Sequence, residues 1–335
     1  MSNKLATLRA FLKDKHMNGI FVSTHEMITY LTGFDFLAEG EREAFLFITQ
    51  KKTFVITSQL YKDDVKKYVP DFAVLDFFES GKPFWEFIDD ALQKETKEIS
   101  KLLKKNHVYQ LGFESNNITY DEYTKLKKLT TTLVPCTLES LRDIKTVDEI
   151  EKIRIACQIG DNAFSYLLKH IKPGITEKEV AFYLDTFVRE KGAEPSFKTI
   201  VAFGKGASVP HHTLTDTRLQ TNDIVLVDFG VKYQTYCSDM SRTFFIGTPP
   251  EQQANAYNTV LKSQQEALNI LNTPDSPQAK AVDKASREVL EKNHYPSFPH
   301  SLGHSIGVKV HDGFAISPYS TFTLQPGMVF SVEPV

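Results

Sequence analysis

Cysteine is scarce in this chain. There are three in 335 residues, Cys136, Cys157 and Cys237, widely spaced and without a C-x-x-C pair. This excludes a disulfide framework and a zinc ribbon, and it fits a reducing compartment. Positive charge is not in excess either: 39 Lys and Arg against 42 Asp and Glu leave a net charge of −3. A nucleic-acid binder needs a basic footprint that such a balance lacks. The Lys-rich run from Lys101 to Lys105 reads as the solvated face of a helix. No apolar stretch is long enough to span a bilayer, and Met1-Ser-Asn-Lys leads directly into an amphipathic pattern (Leu5, Leu8, Phe11, Leu12) rather than a signal segment. A cytoplasmic protein with no nucleic acid and no membrane among its partners is expected. A Gly-rich strand-to-helix turn is missing too, so no nucleotide site is inferred.

What is present reads as an α+β protein in two parts. Residues 1–135 alternate helix and strand as an α/β domain. The pattern is a helix to about Lys15, a strand Gly19 to Ser23, a helix near Met27 to Leu31, and strands Ala44 to Thr49 and Thr53 to Thr57 joined by Gln50-Lys51-Lys52. There follow a helix Phe84 to about Leu103, a strand Val108 to Phe113, a helix Tyr120 to Leu129 and a strand Thr132 to Pro135. Residues 136–335 form the second part, where long helical periodicity takes over (Ile150, Ile153, Ala156, Cys157, Phe164, Leu167). Pro173-Gly174 then separates this helix from one opened by the capping box Thr176-Glu-Lys-Glu179. Strands dominate from Thr199, interrupted by helices at about Glu251 to Leu271 and Ala279 to Lys292.

The chemistry-bearing residues lie in the second part. In 224-IVLVDFGVKYQTYCSDMSRTFF-245, Asp228 ends an unbroken apolar run, where a lone buried carboxylate is costly. A hairpin reversing between Tyr233 and Gln234 sets Asp228 opposite Asp239, with Cβ atoms about 4.5–5.5 Å apart. Carboxylates that close need a proton or a cation between them, and a metal pair spaced about 3.5–4 Å suits them. Tyr-Gln is not a favoured two-residue turn, so a bulge or longer loop shifts this register. The same residues fit a structural arrangement equally well, one Asp capping a bend and the other paired with Arg242.

Three histidines, His300, His304 and His311, lie among glycines in 298-FPHSLGHSIGVKVHDG-313; imidazole is a common transition-metal ligand, and glycine lets backbone approach a site closely. Asp312 reads as a turn-former beside Gly313, and His294 and His300 as structural. Glu333, at the end of a strand Met328 to Val332 after Pro-Gly, repeats the placement of Asp228. His211 and His212 sit in a loop, where paired histidines are more often merely exposed. Asp228, Asp239, His304 and Glu333 together make an oxygen-rich set with one imidazole. That set favours two divalent ions, Mn²⁺ first, with Co²⁺ or Zn²⁺ able to bind, and two such ions suit hydrolysis.

These motifs, V-D-F-G, S-D-M-S-R-T, H-S-L-G-H-S-I-G-V-K-V-H-D and S-V-E-P in that order, resemble the Xaa-Pro aminopeptidase and prolidase family, whose catalytic domain is the pita-bread fold. The stretch 29-TYLTGF-34 is similar to the family's N-terminal domain and 142-RDIKTVDEIEKIRIACQIGDNAF-164 to its domain junction. The resemblance implies an Xaa-Pro aminopeptidase acting on small proline-containing peptides, in which a metal-bridging hydroxide attacks the carbonyl before proline. It assigns metal ligation to Asp228, Asp239, His304 and Glu333, the general-base role to Glu333, and substrate hydrogen bonding to His211 and His311. A homodimer is also implied. The resemblance also implies a second glutamate ligand about two dozen residues beyond Glu333, past Val335.

Three other readings share the fold. Prolidase, the Xaa-Pro dipeptidase, differs only in substrate length; methionine aminopeptidase usually lacks the large N-terminal domain; and creatinase-like hydrolases lack the two aspartates. A metal-free peptide-binding module is the non-enzyme alternative. Trp85, Phe36 and Tyr30 are candidates to line the active-site mouth, although the core is the better expectation for each.

Overall fold

The computed structural model describes residues 2–35, 40–76, 110–129 and 132–334, and it divides into two compact units, Met1–Leu141 and Arg142–Val335. In the first unit the order is α1 (Ser2–Asp14), β1 (Gly19–Val22), α2 (His25–Thr32), β2 (Ala44–Thr49), β3 (Thr53–Thr57), α3 (Gln59–Tyr68), β4 (Ala73–Asp76), β5 (Gln110–Glu114), α4 (Tyr120–Leu129) and β6 (Thr132–Cys136). The strands form one mixed sheet in the order β4-β3-β2-β1-β5-β6. Phe21, Phe45, Phe47, Ile56, Leu111, Phe113 and Leu126 make a core on it. Glu114 at the end of β5 accepts hydrogen bonds from the Ser23 and Thr24 amides at 2.6 and 2.7 Å, anchoring the start of α2.

Most sequence-expected elements of this unit are present. Helix α3 and strand β4 were not expected, and the reason is visible in α3, where Val65 is the only buried residue and so no apolar stripe marks the helix. The helix expected from Phe84, the run Lys101 to Lys105, Trp85 and Phe36 lie outside the described residues. Tyr30 is 8 % exposed, with its hydroxyl donating to the Leu141 carbonyl at 3.1 Å, and is a core residue.

The second unit opens with α5 (Val147–His170) and α6 (Glu177–Glu190), each started by a full capping box, Thr146 with Glu149 and Thr176 with Glu179. Strands β7 (Glu194–Pro195), β8 (Ile200–Phe203), β9 (Ile224–Phe229), β10 (Val231–Tyr233), β11 (Tyr236–Cys237) and β12 (Met240–Phe245) follow. They pair in the orders β12-β9-β8 and β11-β10-β7. Helices α7 (Glu251–Leu271) and α8 (Ala279–Lys292) pack together, ahead of the short pair β13 (Gly303–His304) and β14 (Ala315–Ile316). Among the described residues no helix is long and apolar enough to cross a membrane.

Two expectations need correction. The hairpin reverses at Gln234-Thr235, both at positive φ (44° and 73°), not between Tyr233 and Gln234. Tyr233 therefore faces Tyr236, and Ser241 rather than Asp239 faces Asp228. The favoured two-residue hairpin turn requires positive φ at both central residues, and here non-glycine residues adopt it. Second, Met328 to Val332 is not a regular strand. It runs beside 302–306 with one isolated bridge, Phe330 to Ser305, while Met328 bridges Ile144 instead, and the Ser331 hydroxyl takes the His304 amide at 3.1 Å where a strand partner's carbonyl would stand.

Candidate metal centre

Strand β9 places the first carboxylate. Val225, Val227 and Phe229 alternate into the core with Ala156, Leu184 and Val201, which leaves Ile224, Leu226 and Asp228 on the opposite face. With Ser241 opposite Asp228, position 239 lies two residues along the partner strand, and side-chain alternation returns it to the same face. The corrected register thus keeps both aspartates on one surface as diagonal rather than direct neighbours. Gly230, between β9 and β10, permits this crossing: a Cβ there would lie 2.1 Å from both Ser196 Oγ and the Ser238 carbonyl oxygen.

The segment ending in Glu333 brings the other groups. Backbone bonds from Ser331 N to His304 O (2.9 Å) and Glu333 N to Leu302 O (2.8 Å) hold it beside β13. Gly303 is required for that approach, since a Cβ would meet the Ser331 carbonyl at 1.9 Å. His304 Nε2 then stands 3.2 Å from Asp239 Oδ2 and 3.1 Å from Glu333 Oε1, and the Ser331 hydroxyl donates to Glu333 Oε1 at 2.8 Å. Ligand atoms of Asp239, His304 and Glu333 all lie within 4.8 Å of one another.

Asp228 adjoins this trio without belonging to it. Its Oδ1 is buried with no hydrogen-bond partner. Burial first, then the charges of Asp239 and Glu333, push its carboxyl up to about 7. For His304, burial works against the charged ring, but hydrogen bonds to Asp239 and Glu333 outweigh it and raise the ring to about 10. Burial would raise Glu333, yet its contacts with His304 and Ser331 hold it below the usual carboxylate range. His304 therefore carries the positive charge that this acidic cluster requires. One imidazolium among three carboxylates leaves a proton on Asp228 and an orphaned oxygen, and both features fit a site for divalent cations bound through hard oxygen donors.

The other sequence candidates lie around it. The His311 ring is 4.0 Å from that of His304, nearly perpendicular to it, and faces solvent. Partial burial of the ring against its neighbours, and then the His304 charge, lower its pKa. His211 sits in an exposed loop at φ 53°, and among the described residues nothing hydrogen-bonds to it. His300 is fixed by Ser301 and Phe298, at 2.7 and 5.1 Å. Arg242 pairs with Asp161 at 3.7 Å, not with either site aspartate. Asp312 is no turn-former: it is 1 % exposed and bound to Arg142 at 2.7 Å, while Gly307 leaves room for its Oδ2, which a Cβ would approach to 2.0 Å. Arg142 had no periodic signal to mark it, and its partner lies 170 positions away. Asp239, Ser331, Glu333, Ile224, Leu226, Tyr257 and Phe330 are among the residues lining a cavity of about 800 Å³.

A two-unit chain with this acidic, imidazole-bearing cluster is a metallopeptidase of the pita-bread class. Metallopeptidase family M24 matches residues 151–335 and the creatinase/prolidase N-terminal domain matches residues 4–144, and the chain belongs to family M24, whose members use divalent metals. It is 32 % identical to the peptidase YqhT of Bacillus subtilis over 99 % of this chain and 90 % of that one. Among solved structures it resembles an Xaa-Pro dipeptidase from Bacillus anthracis (TM-score 0.86, 30 % identity, 99 % and 89 % covered). It also resembles an X-Pro aminopeptidase from Thermotoga maritima (TM-score 0.79, 28 % identity, 95 % and 88 % covered).

Proposed function

We propose that this chain hydrolyses the peptide bond preceding proline in short peptides, with Asp228, Asp239, His304 and Glu333 holding two divalent ions, Mn²⁺ foremost. The observation that carries the reading is the buried, unpartnered Oδ1 of Asp228 beside the Asp239–His304–Glu333 trio. Divalent ions bound there supply Lewis acidity toward the carbonyl and make water more acidic. Glu333, held ionised, receives the proton of the attacking water at a carboxylate oxygen. His311, kept neutral near pH 7, donates one ring N–H to the substrate, and His211 a second from its loop. Proline's nitrogen carries no hydrogen, so recognition rests on ring shape and carbonyl contacts. A cytoplasmic homodimer goes with this reading, supported by cysteine usage and by the family resemblance.

Release of the residue before proline from longer peptides is the reading the sequence favours. Dipeptides are favoured by the likeness to the Bacillus anthracis Xaa-Pro dipeptidase. Cleavage of Ala-Pro, Ala-Pro-Ala and Met-Ala-Ser by metal-stripped protein resupplied with Mn²⁺, with metal content measured on the same sample, separates these. Mn²⁺-dependent alanine release supports the proposal, and the better peptide fixes the length. Preference for Met-Ala-Ser, or cleavage unaffected by metal removal, refutes it.

A further inference from the structure

The loop between β8 and β9 is tied at its base to a single carboxylate. Glu177, the first residue of α6, is 1 % exposed, although acidic residues at a helix start ordinarily face water. It accepts the Phe203 amide at 3.1 Å, the Thr215 amide at 2.9 Å, the Thr215 hydroxyl at 2.8 Å and His212 Nε2 at 3.0 Å. Phe203 is where the chain leaves β8, and Thr215 lies beyond the two histidines. One buried anion thus closes both ends of the segment 204–214. Its ionised form is favoured because these donors overcome the burial cost.

The two adjacent histidines are divided by this arrangement. His212 turns inward to Glu177, packing against Gly206, where a Cβ would stand 3.2 Å from its ring. His211 is left at positive φ, turned to solvent. A non-glycine residue held in that region needs its neighbours fixed on both sides. We infer that Glu177 and His212 form a clasp that positions His211 for the reaction, and are positioning residues rather than catalytic ones. This deepens the proposed function and rests on it for the role of His211.

The test compares Glu177→Gln, His212→Phe and His212→Gln with the unaltered protein. It measures amide hydrogen exchange across 204–214 in metal-free protein, and kcat and KM on the better proline peptide with Mn²⁺. With Glu177→Gln and His212→Phe, loop exchange rises by at least about tenfold while exchange in α7 and α8 is unchanged. The kcat falls about 10- to 100-fold with KM little altered. His212→Gln, whose amide nitrogen can take the place of Nε2, recovers most of both. In a His211→Ala background Glu177→Gln costs no further activity. Unchanged loop exchange, or losses that add fully to those of His211→Ala, overturns the inference. If the unaltered protein cleaves no proline peptide, the proposed function fails, and loop exchange alone still decides whether the clasp exists.

Discussion

Metal binding to the stripped protein should release protons, and the number can be worked from the site. His304 is raised to about 10 by Asp239 and Glu333 against the effect of burial, so near neutrality it carries a proton that a metal must displace. Asp228, raised to about 7 by burial and by Asp239 and Glu333, titrates near neutrality. Binding near neutrality should therefore release between about one and two protons, more at pH 6 than at pH 8 as Asp228 loses its own. Apparent affinity for Mn²⁺ should rise by more than about tenfold from pH 6 to pH 7, tenfold from His304 with Asp228 adding to it. Calorimetry in two buffers of different ionisation enthalpy reads the proton count directly. A release near zero, or one that does not decline between pH 6 and pH 8, would refute the assignment of these two residues as ligands.

Other expectations concern the groups around the site. Arg142→Met or Asp312→Asn alone should destabilise the fold by about 3–5 kcal/mol by stranding a buried charge, whereas the double variant should recover part of that loss, as read by denaturant unfolding. His211→Ala and His311→Ala should each lower kcat by about 100-fold while bound metal stays at the unaltered level; loss of metal equal to loss of turnover in both would contradict their roles. Gly303→Ala should cost stability well beyond the usual glycine effect of about 1 kcal/mol, because its Cβ would collide with the Ser331 carbonyl. In the metal-free protein, the contribution of Asp228 to unfolding free energy, read as the difference from Asp228→Asn, should fall as pH rises from 3.8 through 7, where the folded state keeps the Asp228 proton that the unfolded chain has lost. His304 extends the fall: its contribution is full below 6.5 and is lost as pH rises through 10.

Local signals carried much of this structure into the sequence. The Thr176–Glu179 capping box, the alternation in Ile224 to Phe229 and the long periodic helix from Val147 are each set by residues within a few positions of one another, so they could be read directly. What escaped depended on distance along the chain. Arg142 meets Asp312, Lys145 meets Ser305 at 3.0 Å, and Glu177 gathers Phe203, His212 and Thr215; none of these pairs leaves a periodic trace. Glu177 was hidden for a further reason. An acid in the first helical turn is already explained by the helix dipole, so nothing pointed to its burial. The hairpin register failed by two residues because Gln234 and Thr235 adopt backbone angles usually left to Asn and Gly. A two-residue slip preserves the face, and for that reason the grouping of Asp228 with Asp239 survived a wrong turn.

The electrostatics of the cluster also bear on how the fold is maintained. Three carboxylates converge with one imidazolium, and Asp228 Oδ1 has no partner, so without cations the site opposes folding. What offsets it is geometric. The β9–β12 pairing, the close contact at Gly230 and the packing of Gly303 against Ser331 fix the backbone that carries the acids, and none of these contacts involves a charge. The scaffold can therefore form first and hold the donors in place, at a free-energy cost that bound cations recover. Stability and metal affinity are then two readings of one quantity, since a ligand that binds only the folded state stabilises it by an amount that grows with the logarithm of its concentration over Kd. Neutralising Asp228 by Asp228→Asn should separate them, raising the unfolding midpoint of the stripped protein at pH 8 while reducing the stabilisation that added Mn²⁺ provides. A variant that lowers both, or changes neither, would mean that Asp228 is paired within the fold and takes no part in binding cations.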